Sequence, residues 1–298
     1  MERKELASYP MKPLPLIGWL CAIPGSLVHA LTIANVEPAD RNPDVLLVVP
    51  TLGRRLSLLR GTLESIRRQT IPIDVVVVSP DQPEIHALCA EYGHTWLTDT
   101  GSQASAINSA IAEFGAKYFA VGWLNDDDAL EPWTAHRVLD TLRAGDVVVA
   151  FGSCQYVGPN GSAIGLSRAG RLAPLILPWG PDLIPQPGML VKAEAWHHVG
   201  GLDSSFRLAF DLDLLLRLKR LGRLRHVGCV VSRFMWHPES LTVDNRELNL
   251  QESERARRQA LPECIRWMAP LWEKPAQGAV RIAAAGISWR AQSVRADT

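Results

Sequence analysis

The sequence predicts an α/β protein built on a mostly parallel sheet covered by helices. Short continuous apolar runs recur at Val45-Leu-Leu-Val-Val-Pro50, Val75–Val78, Tyr118–Leu124 and Val147–Phe151, the pattern of strands buried on both faces. Stretches with apolar residues at helical spacing separate these runs, and that alternation argues for parallel strands joined by helical crossovers. The chain has 298 residues, 47% hydrophobic and 21% charged, which is ample for a sizeable core.

The elements follow in order. Residues 1–44 form a leader. From Met11 to Val36 it carries no charge after Lys12 unless His29 is protonated, and its length matches the roughly 20 residues of a bilayer span. Pro13, Pro15, Gly18, Pro24 and Gly25 interrupt it, His29 and Asn35 are costly in lipid, and no small-residue cleavage site is clear. We read it as a buried or membrane-surface segment ahead of a span or a cleaved signal. A polar linker, 37–44, precedes the first strand, which Pro50 ends. Leu56, Leu59, Leu63 and Ile66 mark the first helix within Arg54–Gln69. Strand Val75–Val78 ends in Ser79-Pro80-Asp81, and helices follow near 83–92 and over Ser102–Phe114, the second with Ile107, Ile111 and Phe114 on one face. Strand Tyr118–Leu124 runs into Asn125-Asp126-Asp127-Asp128. Helix 131–144 and strand 147–151 continue the alternation.

The second half is less regular. Residues 157–188 hold six prolines and six glycines and read as a long loop region, a length that tends to be functional. Helices are expected over 193–199 and from Asp211 to Leu221, a strand over Cys229–Trp236, and a charged helix from Asn245 to about Ala260. A tail rich in Trp and Arg closes the chain.

Composition excludes several functions. Lys+Arg and Asp+Glu are both 31, so no net field draws the chain to nucleic acid. The five cysteines are scattered with no CxxC pair, which disfavours a zinc ribbon, a redox dithiol or a disulfide scaffold and fits a reducing compartment. The sharpest chemical feature is the row Asp126-Asp127-Asp128 directly after a buried strand. Adjacent carboxylates repel unless a cation or donors compensate. Oxygen ligands of this kind suit Mg2+ or Mn2+, typically shared with substrate phosphates. A solvated acidic turn is the bland alternative. In open α/β sheets ligands lie beyond the carboxyl ends of strands, here Pro50-Thr51, Ser79–Asp81 and Asn125–Asp128, and that position favours the functional reading.

Several stretches in order resemble the inverting family 2 glycosyltransferases of the GT-A fold. They are Val48-Val-Pro-Thr51, Thr62-Leu-Glu-Ser-Ile66 with Gln69-Thr70, Gly101–Asn108, Trp123–Asp128, Ile184-Pro-Gln-Pro187, Val199–Asp203, Phe210–Arg217 and His237-Pro-Glu-Ser240. The resemblance covers about residues 45–245, leaving the leader 1–44 and a C-terminal helical tail, 246–298, as extensions. It implies a GT-A-like sheet flanked by helices and transfer of a sugar from a nucleotide-sugar donor to a saccharide or lipid-linked hydroxyl acceptor, in polysaccharide or glycolipid synthesis. Asp128 matches the metal ligand for Mn2+ or Mg2+, with His237 a further ligand, although a lone His after a strand is by itself unremarkable. Asp211 matches the general base and would also serve as a helix N-cap. Asp127 is expected near the donor, with Asp126 beside it. Pro50, Thr51, Arg54 (or Arg55), Asp81 and Asn108 are the remaining expected donor-side residues. Ser79-Pro80-Asp81 departs from the family's usual acidic motif, and Met235 stands where an Arg is usual.

The stretch from Leu214 to Trp236, basic and free of acids, reads equally as a solvated face or as a surface for lipid headgroups or a diphosphate-bearing acceptor. Trp267, Trp272 and Trp289 among basic residues suit a membrane interface or packing onto the domain. These features imply a cytoplasmic protein, peripheral on the inner face of the cell membrane. A non-catalytic nucleotide-sugar-fold subunit is the alternative, and a nucleotidyltransferase fits less well because Thr51-Leu-Gly-Arg-Arg55 is a poor phosphate loop.

Overall fold

The computed structural model describes residues 43–99, 101–158, 161–167, 170–180, 182–235, 245–269, 271 and 278. Nearly all of the leader, the His237 motif, and Trp272 and Trp289 of the tail lie outside the described residues. Among the described residues no helix is long and apolar enough to cross a membrane.

Four parallel strands form the first half of the sheet, in the order β3-β2-β1-β4. They are β1 (Val45–Pro50), β2 (Asp74–Ser79), β3 (Thr95–Thr98) and β4 (Ala120–Trp123). Helices α1 (Leu56–Arg67), α2 (Pro83–Tyr92) and α3 (Gln103–Phe114) link them. The continuous apolar run of β1 has a simple cause. Side chains alternate across a strand, so Val45, Leu47 and Val49 meet Leu59, Leu63, Ile85 and Leu88 of α1 and α2 on one face. Leu46 and Val48 meet Ile107, Ala110 and Ile111 of α3 on the other. Both faces need apolar residues.

The second half mixes directions. β8 (Leu190–Lys192) runs antiparallel to both β4 and β6 (Val147–Val157). β9 (Arg223–Met235) is parallel to β6, β5 (Ala129–Leu130) is antiparallel to β9, and β7 (Ala163–Leu166) returns along β6. The α/β class holds, but the sheet is parallel in one half and mixed in the other. Helices α4 (Thr134–Leu142), α5 (Ala173–Ile176), α6 (Ala193–His198), α7 (Phe210–Leu218), α8 (Arg246–Ala260) and α9 (Glu263–Arg266) cover it.

Several elements differ from expectation. The edge strand β3 is half-exposed, so its sequence lacks the apolar run of a buried strand. β9 begins at Arg223 rather than near Cys229, because its first part alternates exposed Arg223 and Arg225 with buried Leu224. β7 and α5 lie inside the stretch expected to be loop.

Candidate active site

The acidic row sits where the sheet delivers it. Leu124 N–H donates to the Val48 carbonyl at 2.9 Å, extending β4 alongside β1, and Asp128 N–H closes a turn onto the Asn125 carbonyl at 3.2 Å. The chain then enters β5. One face of α1 holds this turn. Thr62 Oγ1 donates to the Asp128 carbonyl at 2.8 Å, Ser65 Oγ accepts from Leu130 N–H at 3.1 Å, and Gln69 Nε2 donates to the Glu131 carbonyl at 2.8 Å. Thr62 and Ser65, three residues apart, share one face of the helix, and Gln69 follows just past its end. The polar positions of the Thr62–Gln69 motif therefore support the acidic turn from below.

The three carboxylates have different surroundings. Asp126 accepts from Thr51 Oγ1 at 2.6 Å and from Arg55 Nη2 at 3.0 Å. Arg55 Nη2 also lies 3.0 Å from Asp127 Oδ2, so one guanidinium bridges both side chains, each 14% exposed. Burial pushes Asp126 above the usual carboxylate range, against the Thr51 hydroxyl and Arg55. Asp128 is 1% exposed. Its Oδ2 accepts from Asn125 Nδ2 at 3.2 Å, and Asn125 Oδ1 in turn accepts from Gln103 Nε2 at 2.8 Å. Burial, then the neighbouring Asp127 charge, pushes Asp128 well above the usual range, despite the Met235 backbone N–H and Asn125.

Asp128 Oδ1 is buried and has no hydrogen-bond partner among the described residues. A buried carboxylate oxygen without a donor costs stability, and a hard divalent cation is the partner such an oxygen fits. Asp128 thus suits Mn2+ or Mg2+, of a kind commonly held by one or two carboxylates plus substrate phosphates. Among the described residues no cluster of three His, Cys, Asp or Glu side chains forms a complete metal site, and His237 lies outside them.

Asp211 lies in the first turn of α7, where its Oδ1 accepts from Leu212 N–H at 2.8 Å. Trp123, 1% exposed, links this turn to the acidic row. Its ring stands 6.2 Å from Phe210 and 6.0 Å from Trp196, and its carbonyl accepts from Gln186 Nε2 at 2.7 Å. The last residue of β4 therefore packs directly against the residue before Asp211.

Asp182 lies within electrostatic reach of Asp211, a proximity sequence reasoning missed. Burial and then the Asp211 charge raise the Asp182 carboxyl, with the Ile184 N–H and Arg257 opposing. Burial likewise raises Asp211, against its own and the Leu212 backbone N–H groups. Two carboxyls in one enclosed place titrate together. A signal did exist, for Asp182 is the only acidic residue between Asp146 and Glu194. The linkage sign is fixed by the upward shift. Stability from these groups is fully present below the unfolded value of about 3.9 and is lost as pH rises through the raised folded values. Asp182→Asn keeps an acceptor for Ile184 N–H, so calorimetric melting should show it more stable than wild type by about 1 kcal/mol near neutral pH and no more stable in acid. Equal stabilisation at both pH values would count against the pair.

The other expected donor-side residues have the following surroundings. Pro50 ends β1, and Thr51 N–H continues the ladder to the Val78 carbonyl at 2.9 Å. Arg54 is exposed, and its neighbour Arg55 makes the acidic contacts. Asp81 is 76% exposed and pairs with His86 Nε2 at 3.2 Å. Asn108 is engaged by backbone. Its Nδ2 donates to the Leu202 carbonyl at 2.8 Å and its Oδ1 accepts from Leu202 N–H at 2.9 Å. Gly201, at φ 72°, leaves room there, since a Cβ would come within 2.6 Å of Asn108 Oδ1. Asn108 thus fastens the loop that leads to α7. Asp213, two residues beyond Asp211, pairs with Arg217 at 2.6 Å, a structural contact.

No family model matches the chain. It is 24% identical over 228 residues to a hyaluronan synthase of Pasteurella multocida and 25% identical over 153 residues to a chondroitin synthase of its strain Pm70. These matches cover 72% and 49% of this chain but 22% and 15% of those proteins, so the chain spans less than a quarter of their length. Among solved structures it is similar to a mannosyltransferase of Pyrobaculum calidifontis in complex with GDP-Man and Mn2+, at 18% identity and TM-score 0.57, covering 88% of this chain and 82% of that one. It is also similar to S. aureus TarS 1–349 in complex with UDP-GlcNAc, at 14% identity and TM-score 0.57, covering 75% and 69%. The fold is that of the GT-A glycosyltransferases.

Proposed function

We propose that the chain is a metal-dependent glycosyltransferase of the hexosyltransferase type, transferring a sugar with inversion from a nucleotide-sugar to a hydroxyl acceptor. The observation that carries this reading is the buried, donorless Asp128 oxygen at the carboxyl end of β4, with Asp211 packed through Phe210 and Trp123 at the same end. The nucleotide-sugar complexes of the similar structures and the polysaccharide synthases among the relatives support it.

In this reading Asp211 takes the proton of the acceptor hydroxyl as its oxygen attacks C1 of the sugar. The new C1–O bond forms on the face opposite the departing oxygen, and the breaking bond's electrons leave with the nucleoside diphosphate. Asp128, with His237, would hold Mn2+ or Mg2+, which supplies Lewis-acid neutralisation of the leaving diphosphate. Asp127 lies toward the donor ribose or sugar. Thr51 and Arg55 fix Asp126 and Asp127 so that the row keeps one geometry. The acceptor is a saccharide or lipid-linked sugar in polysaccharide or glycolipid synthesis, reached by a cytoplasmic protein at the membrane surface. A non-catalytic scaffold is not favoured. It would have no use for two enclosed carboxylates and a donorless third, all of which cost stability.

The test is a donor screen that follows nucleoside diphosphate release with Mn2+ or Mg2+ and a range of saccharide acceptors. Acceptor-dependent release from at least one nucleotide-sugar is expected. A protein that binds no nucleoside diphosphate in the presence of either cation would refute the reading.

A further inference from the structure

The segment that delivers Asp211 is gripped by the C-terminal helix α8, which follows the last of the sequence motifs that resemble the family 2 glycosyltransferases. Glu252, 9% exposed, accepts from three consecutive backbone N–H groups. Arg207 N–H lies 2.9 and 3.1 Å from its two oxygens, Leu208 N–H 2.7 Å and Ala209 N–H 3.0 Å from Oε2. One turn along α8, Arg255 Nη2 donates to Ser205 Oγ at 2.7 Å, and its guanidinium lies 4.4 Å from the Phe206 ring centroid. Every residue from Ser205 to Ala209 is thus held from α8, and Asp211 follows two residues later.

Helix α7 has no side-chain cap of its own, because Ala209 occupies the N-cap position. The Glu252 carboxylate takes up donors at the positive end of that helix from a distant part of the chain, a favourable place for a negative charge. Burial alone would raise Glu252, but the three N–H groups outweigh it and keep it below the usual range.

We propose that Glu252 is a positioning residue for the reaction: by clamping Arg207–Ala209 it fixes the first turn of α7 and so the direction of the Asp211 carboxylate. The proposal rests on Asp211 acting as the base in the glycosyltransferase reading. Glu252 acts through the backbone, because its carboxylate is already taken up by the three N–H groups. A base displaced by about 1 Å can cost about 10²-fold in rate, while the acidic row after β4 is left unchanged.

The experiment compares wild type, Glu252→Gln and Glu252→Ala. It measures kcat, donor KM and, by calorimetry, binding of nucleoside diphosphate with Mn2+. Gln keeps the size and one acceptor oxygen, whereas Ala removes every contact. The expected result for Glu252→Ala is a fall in kcat of about 10²-fold with donor KM and diphosphate binding unchanged, and for Glu252→Gln a smaller fall. Unchanged kcat in Glu252→Ala overturns the proposal. So does a joint loss of kcat, diphosphate binding and folded signal in both variants, which would mark a purely structural clamp. If wild type itself transfers sugar from no donor, the glycosyltransferase reading fails and takes this one with it. If wild type is active and Glu252→Ala matches it, only the role of Glu252 is lost.

Discussion

Asp211→Asn is expected to lower kcat by about 10²- to 10⁴-fold, the usual contribution of a positioned general base, with donor KM unchanged. The substitution is nearly isosteric. Asn keeps a carbonyl oxygen for the Leu212 N–H that Asp211 Oδ1 now accepts at 2.8 Å, and Phe210 keeps its packing on Trp123. What is lost is the capacity to take a proton. Burial holds Asp211 above the ordinary carboxylate range, which makes it a stronger base than a solvated Asp and brings it closer to working pH. The sign of the pH dependence follows. In the proposed mechanism activity needs the ionised form, so kcat is expected to fall as pH drops through the raised value, above the range of a free carboxylate. The Asp211 charge in turn raises the Asp182 carboxyl beside it. Steady-state rates across pH in both proteins check this. A fully active Asp211→Asn protein would remove Asp211 from the reaction, and a variant that also loses donor binding would give it a structural role instead.

The readable part of the fold is the part where burial leaves no choice. β1, β2 and β4 are covered on both faces, so their central residues must be apolar and the run is visible. β3 is an edge strand and β8 has three residues, and neither length nor exposure leaves a pattern in the chain. β6 continues to Val157 because β7 and β9 pair with its far end, and that pairing depends on segments distant in sequence.

The site divides in the same way. The acidic row was legible because three adjacent carboxylates after a buried strand need a reason. The resemblance supplied Thr51, and the charge pattern supplied Arg55 as one of two candidates, but only the fold shows that Arg55 is the one that bridges Asp126 and Asp127. Asn108 matches a family position, yet both of its polar groups go to Leu202. Asp81 keeps its place after β2 but turns to His86 at the surface. Glu252 looks in sequence like any solvated helix charge. Its value comes from three backbone donors some 45 residues away in the chain, and no local pattern records that.

Asp128→Asn is expected to act in opposite directions on stability and activity. In the absence of divalent cation the wild-type carboxylate is buried beside two other acids, with Oδ1 lacking any donor among the described residues. The substitution removes that charge, keeps an oxygen for Asn125 Nδ2, and places an NH2 group where no donor stood. Melting temperature without metal should therefore hold or rise, as is common when a functional site's cost is removed. Activity should fall by at least about 10²-fold, since altering even the residues that hold metal ligands costs about 10- to 100-fold. The two effects separate cleanly in one set of melting curves. Nucleoside diphosphate with Mn2+ binds only the folded state and should raise the wild-type midpoint in proportion to ligand occupancy, but it should leave the Asp128→Asn curve where it was. A variant that is destabilised without metal would mean that the Asp128 charge is already satisfied within the protein. One that still responds to Mn2+ would move the cation elsewhere in the acidic row. Either result would break the link between the donorless oxygen and the proposed chemistry, because that link requires the fold to retain an unfavourable carboxylate for a partner it meets only with the donor.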